Sequence, residues 1–198
     1  MNNLLQKLRF IASEITLGSL IAILSVFTAV ASYQGSMADS EQSTHNVMGQ
    51  QRLTNANAEY LTANQLIVYD YQLYDSWYTN ENEQKAAYYL ENFSQELRNR
   101  IDANATDIFD DTYYEAMYAN ANALFADAQT LFEKAQEWNR RGDALQLVML
   151  ITAVGLAFAA WASLLKEESK MRLLFAALSI GMFVYGLVAY LSVPAVSG

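Results

Sequence analysis

Residues 137–165 read EWNRRGDALQLVMLITAVGLAFAAWASLL. Four charged side chains crowd the first seven positions, and none occurs from Ala144 to Leu165. As a helix those 22 uncharged residues extend about 33 Å, the thickness of a bilayer's hydrocarbon core. The stretch therefore reads as a polar helix entering a membrane. That reading governs the tripeptide Arg141-Gly142-Asp143, because adhesive use of such a tripeptide needs an exposed loop tip. The roles expected here are interfacial: Trp138 at headgroup level, Arg140 and Arg141 toward lipid phosphates, and Gly142 permitting a bend.

Two more apolar runs, Ile15–Tyr33 and Leu173–Val193, are long enough to span. The 198-residue chain is 53% hydrophobic yet carries a formal charge of −9, a pairing that implies apolar blocks in lipid and an acidic block in water. Lys7, Arg9, an apolar stretch and Ala29-Val30-Ala31 also fit a secretory signal with a small-residue cleavage site. The expectation is an uncleaved anchor that retains Met1. The organisation expected is a short cytoplasmic N-terminus with the first span (1–33), an acidic helical extramembrane domain (34–143), and a two-span hairpin with a short tail (144–198).

Orientation follows the Lys/Arg bias of short segments. Lys7 and Arg9 precede the first span, and Lys166, Lys170 and Arg172 crowd the link KEESKMR between the second and third. Both segments are expected in the cytoplasm, with residues 34–143 and the C-terminus outside, as for a protein of a bacterial inner membrane. Residues 34–144 hold seven Lys/Arg against eighteen Asp/Glu, a balance that repels phosphate and argues against nucleic acid as a partner.

From about Asn46 to Arg141 the pattern is helical. Leu53, Ala56, Tyr60, Ala63, Ile67, Tyr71, Tyr74 and Tyr78 recur at spacings of three and four, the seam of an amphipathic helix that breaks at YTNENEQ. A second helix carries Ala86, Leu90, Phe93, Leu97 and Ile101 on one face and ends near DANATDIFDD, where Asn and Asp favour turns. In a third, Met117, Leu124, Leu131 and Trp138 recur every seven residues, with Ala121, Ala128 and Ala135 at the alternate seam positions, where alanine permits close approach. Both ends of the domain must return to the membrane, so the first and third helices should be antiparallel legs. The fold class expected is all-α: three spans with an extramembrane antiparallel helical bundle or coiled coil.

Candidates for chemistry are few. There is no cysteine, and His45 is the only histidine, in SEQSTHNVMG, expected to be a loop or helix start. A catalytic triad or multi-histidine metal site has at most one candidate residue. Asp110-Asp111 and Glu81/Glu83 lack the spacing of a calcium loop and suit helix ends better. No catalytic residue, cofactor or metal site is expected. Thirteen tyrosines are unusual, and YDYQLYDSWY concentrates four of them. Asp70, Tyr71, Tyr74 and Asp75 would be the ligand contacts if the domain captured a cation, peptide or small ligand. The plainer reading puts Tyr71, Tyr74 and Tyr78 in the bundle seam with Tyr69 outward.

Within the membrane, Gly155, Ala159 and Ser163 form a small-xxx-small stripe on the second span. Ala177, Gly181, Tyr185 and Ala189 form a related one on the third, interrupted by the tyrosine. Such stripes let backbones approach where lipid removes the hydrophobic drive. They serve either a tight two-span hairpin or contacts between molecules, and Gly18, Ala22 and Ala29 of the first span can join either.

One N-terminal span, a helical domain of about 100 residues, and a charged helix running through WNRRGDALQLVMLITAVGLAFA into a closing hairpin resembles a family of small bacterial membrane proteins defined only by a domain of unknown function. The resemblance covers most of the chain and implies no catalytic residues. The function expected is that of a non-enzymatic structural or accessory membrane protein, self-associating or docked on other membrane-protein subunits. Its assembly contacts would be Ala121, Leu124, Ala128, Leu131 and Ala135 with the stripes at Gly155, Ala159, Ser163, Ala177 and Gly181. The alternative is an extracytoplasmic ligand-binding or sensing module that signals through a partner.

Overall fold

A computed structural model describes residues 10–196. Lys7 and Arg9, on which half of the orientation argument rests, lie outside the described residues. The fold is all-α: a 3-10 turn at Phe10–Ala12, then α1 (Glu14–Tyr78), α2 (Glu83–Glu91), α3 (Gln95–Asp102), α4 (Asp111–Leu164) and α5 (Lys170–Leu191). The segments of α1, α4 and α5 that match the three apolar runs are long and apolar enough to cross a membrane. The chain falls into two compact units, one of residues 1–45 with 133–198 and one of residues 46–132.

Helix ends follow local chemistry. Asn82 caps α2, Ser94 caps α3 and Ser169 caps α5, each side chain accepting a backbone N–H of the first turn. Asp110 Oδ1 does the same for α4 through Tyr113 N at 3.1 Å. Asn104 takes a left-handed conformation (φ 51°) in the link before α4, which asparagine tolerates better than most residues.

Three expectations need correction. The second extramembrane helix is two helices, α2 and α3, separated at Asn92-Phe93-Ser94. Gly142 does not interrupt α4, which runs through it without a break; it serves close approach, and an added Cβ would meet Asp39 Oδ1 at 2.7 Å and Ala38 Cβ at 3.7 Å. His45 lies well inside α1, with Nδ1 2.8 Å from the Glu41 carbonyl oxygen one turn back.

In the apolar unit, contacts run in opposite directions along α1 and α4: Gly35 faces Leu145, Thr28 hydrogen-bonds Thr152, and Leu24 meets Gly155. The helices are therefore antiparallel. Polar bonds stitch the spans where no water competes: Thr28 Oγ1 donates to Thr152 Oγ1 at 2.8 Å, and buried Ser179 Oγ donates to the Gly155 carbonyl at 2.7 Å. Arg172 is only 3% exposed; its Nε donates to the Ala12 carbonyl and its Nη1 to that of Leu165, tying the start of the first span to the end of the second. Ala31, within the small-residue triplet that also fits a cleavage site, is buried in mid-helix. The outer surface of the three spans is apolar. Ile23, Val26, Leu150, Val154, Leu178 and Val188 are all exposed, as lipid-facing side chains must be.

The second unit is antiparallel by the same test. Gly49 faces Phe132, Asn64 accepts from Tyr118, and Asp70 accepts from Tyr113. Its seam is alanine on both sides, with Ala56, Ala63, Ala121 and Ala128 at most 5% exposed. Bulk is concentrated at one end, where Ile67, Leu73, Phe93, Leu97 and Tyr113 form the buried cluster and Tyr74, Trp77, Ile101 and Phe109 pack around it.

Candidate functional site

The most organised polar site is built on Asp70. This carboxylate is 1% exposed, inside the apolar cluster, and it accepts three hydrogen bonds: from Ser94 N at 2.9 Å, Ser94 Oγ at 2.5 Å and Tyr113 Oη at 2.7 Å. Three elements meet there. Asp70 comes from α1, Ser94 opens α3, and Tyr113 stands in the first turns of α4. Satisfying a buried charge with several donors is what allows it to remain inside. The same arrangement splits α2 from α3: the Ser94 N–H goes to Asp70 rather than to a helical carbonyl, while Ser94 Oγ accepts from Leu97 N at 3.1 Å.

The neighbouring phenols are shifted. Burial, and then the bond to Asp70, pushes the Tyr113 hydroxyl well above the ordinary tyrosine range. Tyr114 is pushed up to about 12, first by its hydrogen bond with Tyr71 and then by burial. Burial and the nearby Tyr60 raise Tyr118 as well. All three remain neutral phenols in the physiological range. Asp110 completes the base of the cluster, capping α4 while pairing with Arg100.

The four ligand candidates do not converge. Asp70 points into the core, and Tyr74 is half-buried against Trp77, Phe93 and Phe109. Tyr71 is exposed, stacks on Phe109 at 4.0 Å and shares a 2.6 Å hydrogen bond with Tyr114. Asp75 is exposed. Helical spacing explains the divergence, because positions 70 and 74 share one face while 71 and 75 share the next. The tyrosine seam is corrected on the same ground: it continues through Ile67, Asp70, Tyr74 and Trp77, leaving Tyr71 and Tyr78 outside with Tyr69. Ser94 and Tyr113 were missed as partners of Asp70. The available signal was the seven-residue series Ala56, Ala63, Asp70, which sets a carboxylate on a buried seam.

Among the assembly candidates, Ala121, Ala128 and Ala135 are buried and Leu124 and Leu131 are half-buried. Gly155 and Ala159 are buried too; a Cβ on Gly155 would meet Met182 Cβ at 2.9 Å and Leu24 at 3.5 Å. Ser163, Ala177 and Gly181 are exposed, and a Cβ on Gly181 would meet nothing within 4 Å. The face that α5 buries in the hairpin is instead Arg172, Ala176, Ser179 and Gly186, with Gly186 close to Thr152 (2.8 Å from an added Cβ).

One exposed surface has an unusual make-up. Val47, Gln51, Thr54, Ala58, Leu61, Gln65, Val68 and Gln72 alternate at spacings of four and three along α1, and all are exposed. None is charged. The unit 46–132 carries thirteen acidic against four basic residues, yet Arg52, Glu59 and Asp70, the charged residues of α1 between 47 and 72, lie about 120° or more around the helix from the midline of this face. The outward side of a surface helix is ordinarily its charged side. No protein-family model, curated protein or solved structure matches the chain.

Proposed function

We propose that the protein is a non-enzymatic membrane scaffold or accessory subunit that self-associates through the outward face of α1. In this reading the domain 34–143 and the C-terminus lie outside the cytoplasm, in the periplasm of a bacterium, and the bilayer and further copies of the chain are the partners, with nucleic acid excluded by charge. The observation that carries it is the uncharged, heptad-spaced face from Val47 to Gln72, about 38 Å long as a helix. Two copies of an acidic domain repel wherever carboxylates face each other, so a neutral face is where they can meet. Leu61 and Val68, 61% and 56% exposed, are its apolar anchors, and Gln65 between them and Gln72 one turn beyond can hydrogen-bond across a two-fold axis.

The chain lacks cysteine, so Gln65→Cys introduces a single thiol. Mild oxidation of membranes should yield a dimer for Gln65→Cys and none for Asp127→Cys, an exposed position on α4. Leu61→Glu with Val68→Glu should convert the extracted particle to the 22.2 kDa chain. A wild-type particle of one chain, or equal cross-linking at positions 65 and 127, refutes self-association by this face. Stoichiometric companions of other mass in the native particle would point to docking on a larger complex.

A further inference from the structure

The same structure holds a second, independent site. Where the three spans end, at Tyr33, Ala144 and Leu191, a pocket of about 440 Å³ opens among α1, α4 and the C-terminal tail. Its α1 wall carries Gln34, Met37 and Glu41; its α4 wall carries Trp138 and Arg141; Ala195 and Val196 close it. The tail is held in place by Arg141, whose Nη1 donates to the Pro194 carbonyl at 2.8 Å. Gln34 is fixed as well, since its Oε1 accepts from Tyr190 Oη at 3.0 Å and its amide nitrogen is left as a donor.

We infer that this pocket binds the headgroup of a zwitterionic phospholipid, one that carries a phosphate and an ammonium. Three features converge on that chemistry. Arg141 and the Gln34 amide supply N–H donors, and a guanidinium matches phosphate oxygens in a planar fork. Glu41 supplies the opposite charge, and Trp138 an aromatic face, which are the two groups that recognise an ammonium. The pocket also lies at the ends of the spans, where lipid headgroups reside and where tryptophan and arginine concentrate. A purely anionic headgroup would satisfy Arg141 and leave Glu41 opposed to it, so the pairing of charges selects the zwitterion. The volume suits a small ligand.

The test is native mass spectrometry of the full chain released from nanodiscs containing phosphatidylethanolamine and phosphatidylglycerol in equal amounts. One phosphatidylethanolamine should remain on each chain, preferred about tenfold, a difference of about 1.4 kcal/mol. Glu41→Gln should bring the two lipids to near parity, and Arg141→Gln should reduce retention of both. Ala195→Trp fills the pocket from the tail without touching either charge and should abolish retention, which guards against a misfolded charge variant. Equal retention of both lipids by the wild type, or a preference that survives Glu41→Gln and Ala195→Trp, overturns the inference. Soluble glycerophosphoethanolamine distinguishes the source: failure to displace the lipid supports the membrane headgroup, and displacement at comparable concentration would assign the pocket to a free phosphoamine instead.

Discussion

Replacing Asp70 by alanine should reveal how much of the extramembrane unit hangs on one carboxylate. The substitution leaves the Ser94 N–H and the Tyr113 O–H without an acceptor in a site where Asp70 is 1% and Tyr113 0% exposed. The third donor, Ser94 Oγ–H, can rotate while its oxygen continues to accept from Leu97. Two orphaned buried donors at about 1–3 kcal/mol each give a loss of roughly 2–6 kcal/mol. Tyr113→Phe removes one donor of the three and keeps the ring, so it should cost about 1.5–3 kcal/mol, the range for a bond to a charged group. The informative quantity is the double mutant. Once Asp70 is gone, removing the Tyr113 hydroxyl removes an orphan, so Tyr113→Phe on the Asp70→Ala background should be neutral or stabilising. Denaturant unfolding of the full chain in detergent, followed by near-ultraviolet dichroism of the aromatic cluster, measures all four corners of the cycle. Additivity of the two losses within about 0.5 kcal/mol would refute the proposed bond network and reduce Asp70 to an incidental buried charge.

The phenol shifts give a pH prediction: because the folded state favours neutral tyrosine at position 114, its stabilisation is complete below the unfolded value of about 10 and is lost as pH rises toward 12. Ultraviolet titration should show a late-ionising class of tyrosines alongside alkaline unfolding, with Tyr114→Phe and Tyr71→Phe each removing part of the late class; titration of every tyrosine near pH 10 while the protein stays folded would oppose the assignment. In the membrane, Gly155→Leu should destabilise the hairpin by roughly 1–3 kcal/mol through overpacking against Met182 and Leu24. Gly181→Leu, facing open space, should leave thermal stability unchanged, so any drop in its particle mass by light scattering reports a contact between molecules.

What the sequence disclosed tracks the reach of each physical signal. The apolar runs and the break at YTNENEQ were legible because length against bilayer thickness, and a cluster of Asn and Glu, act locally. The split between α2 and α3 was not, since Ala86, Leu90, Phe93, Leu97 and Ile101 keep helical spacing straight across it. Periodicity sees one helix there, and only the cap chemistry of Ser94 together with the distant Asp70 interrupts it. The face of α5 was ambiguous for another reason. Small residues occur on both of its sides, and the difference between the Ala177/Gly181 stripe and the buried Ala176/Ser179 face is a rotation of about 100°, one residue of helix. Asp70 itself was noticed only as a member of a tyrosine-rich stretch, because its donors lie 24 and 43 residues away.

The distribution of bulk within the unit 46–132 bears on the role proposed for the outward face of α1. Between Gly49 and Ala63 the fully buried positions of α1 are glycine and alanine, with Leu53 half-buried, and a buried alanine methyl contributes little, at about 0.8 kcal/mol per carbon. Phe93, Leu97 and Tyr113, the largest fully buried apolar side chains of this unit, sit at the other end, around Asp70. Close approach of the two backbones is therefore secured along the thin stretch without much hydrophobic stabilisation to hold it. A neighbour's helix laid along Leu61 and Val68 would supply that missing burial on the opposite side of α1. In the proposed dimer, association would rest on Leu61 and Val68 while folding rests on the cluster around Asp70, so charges placed at Leu61 and Val68 should separate association from folding.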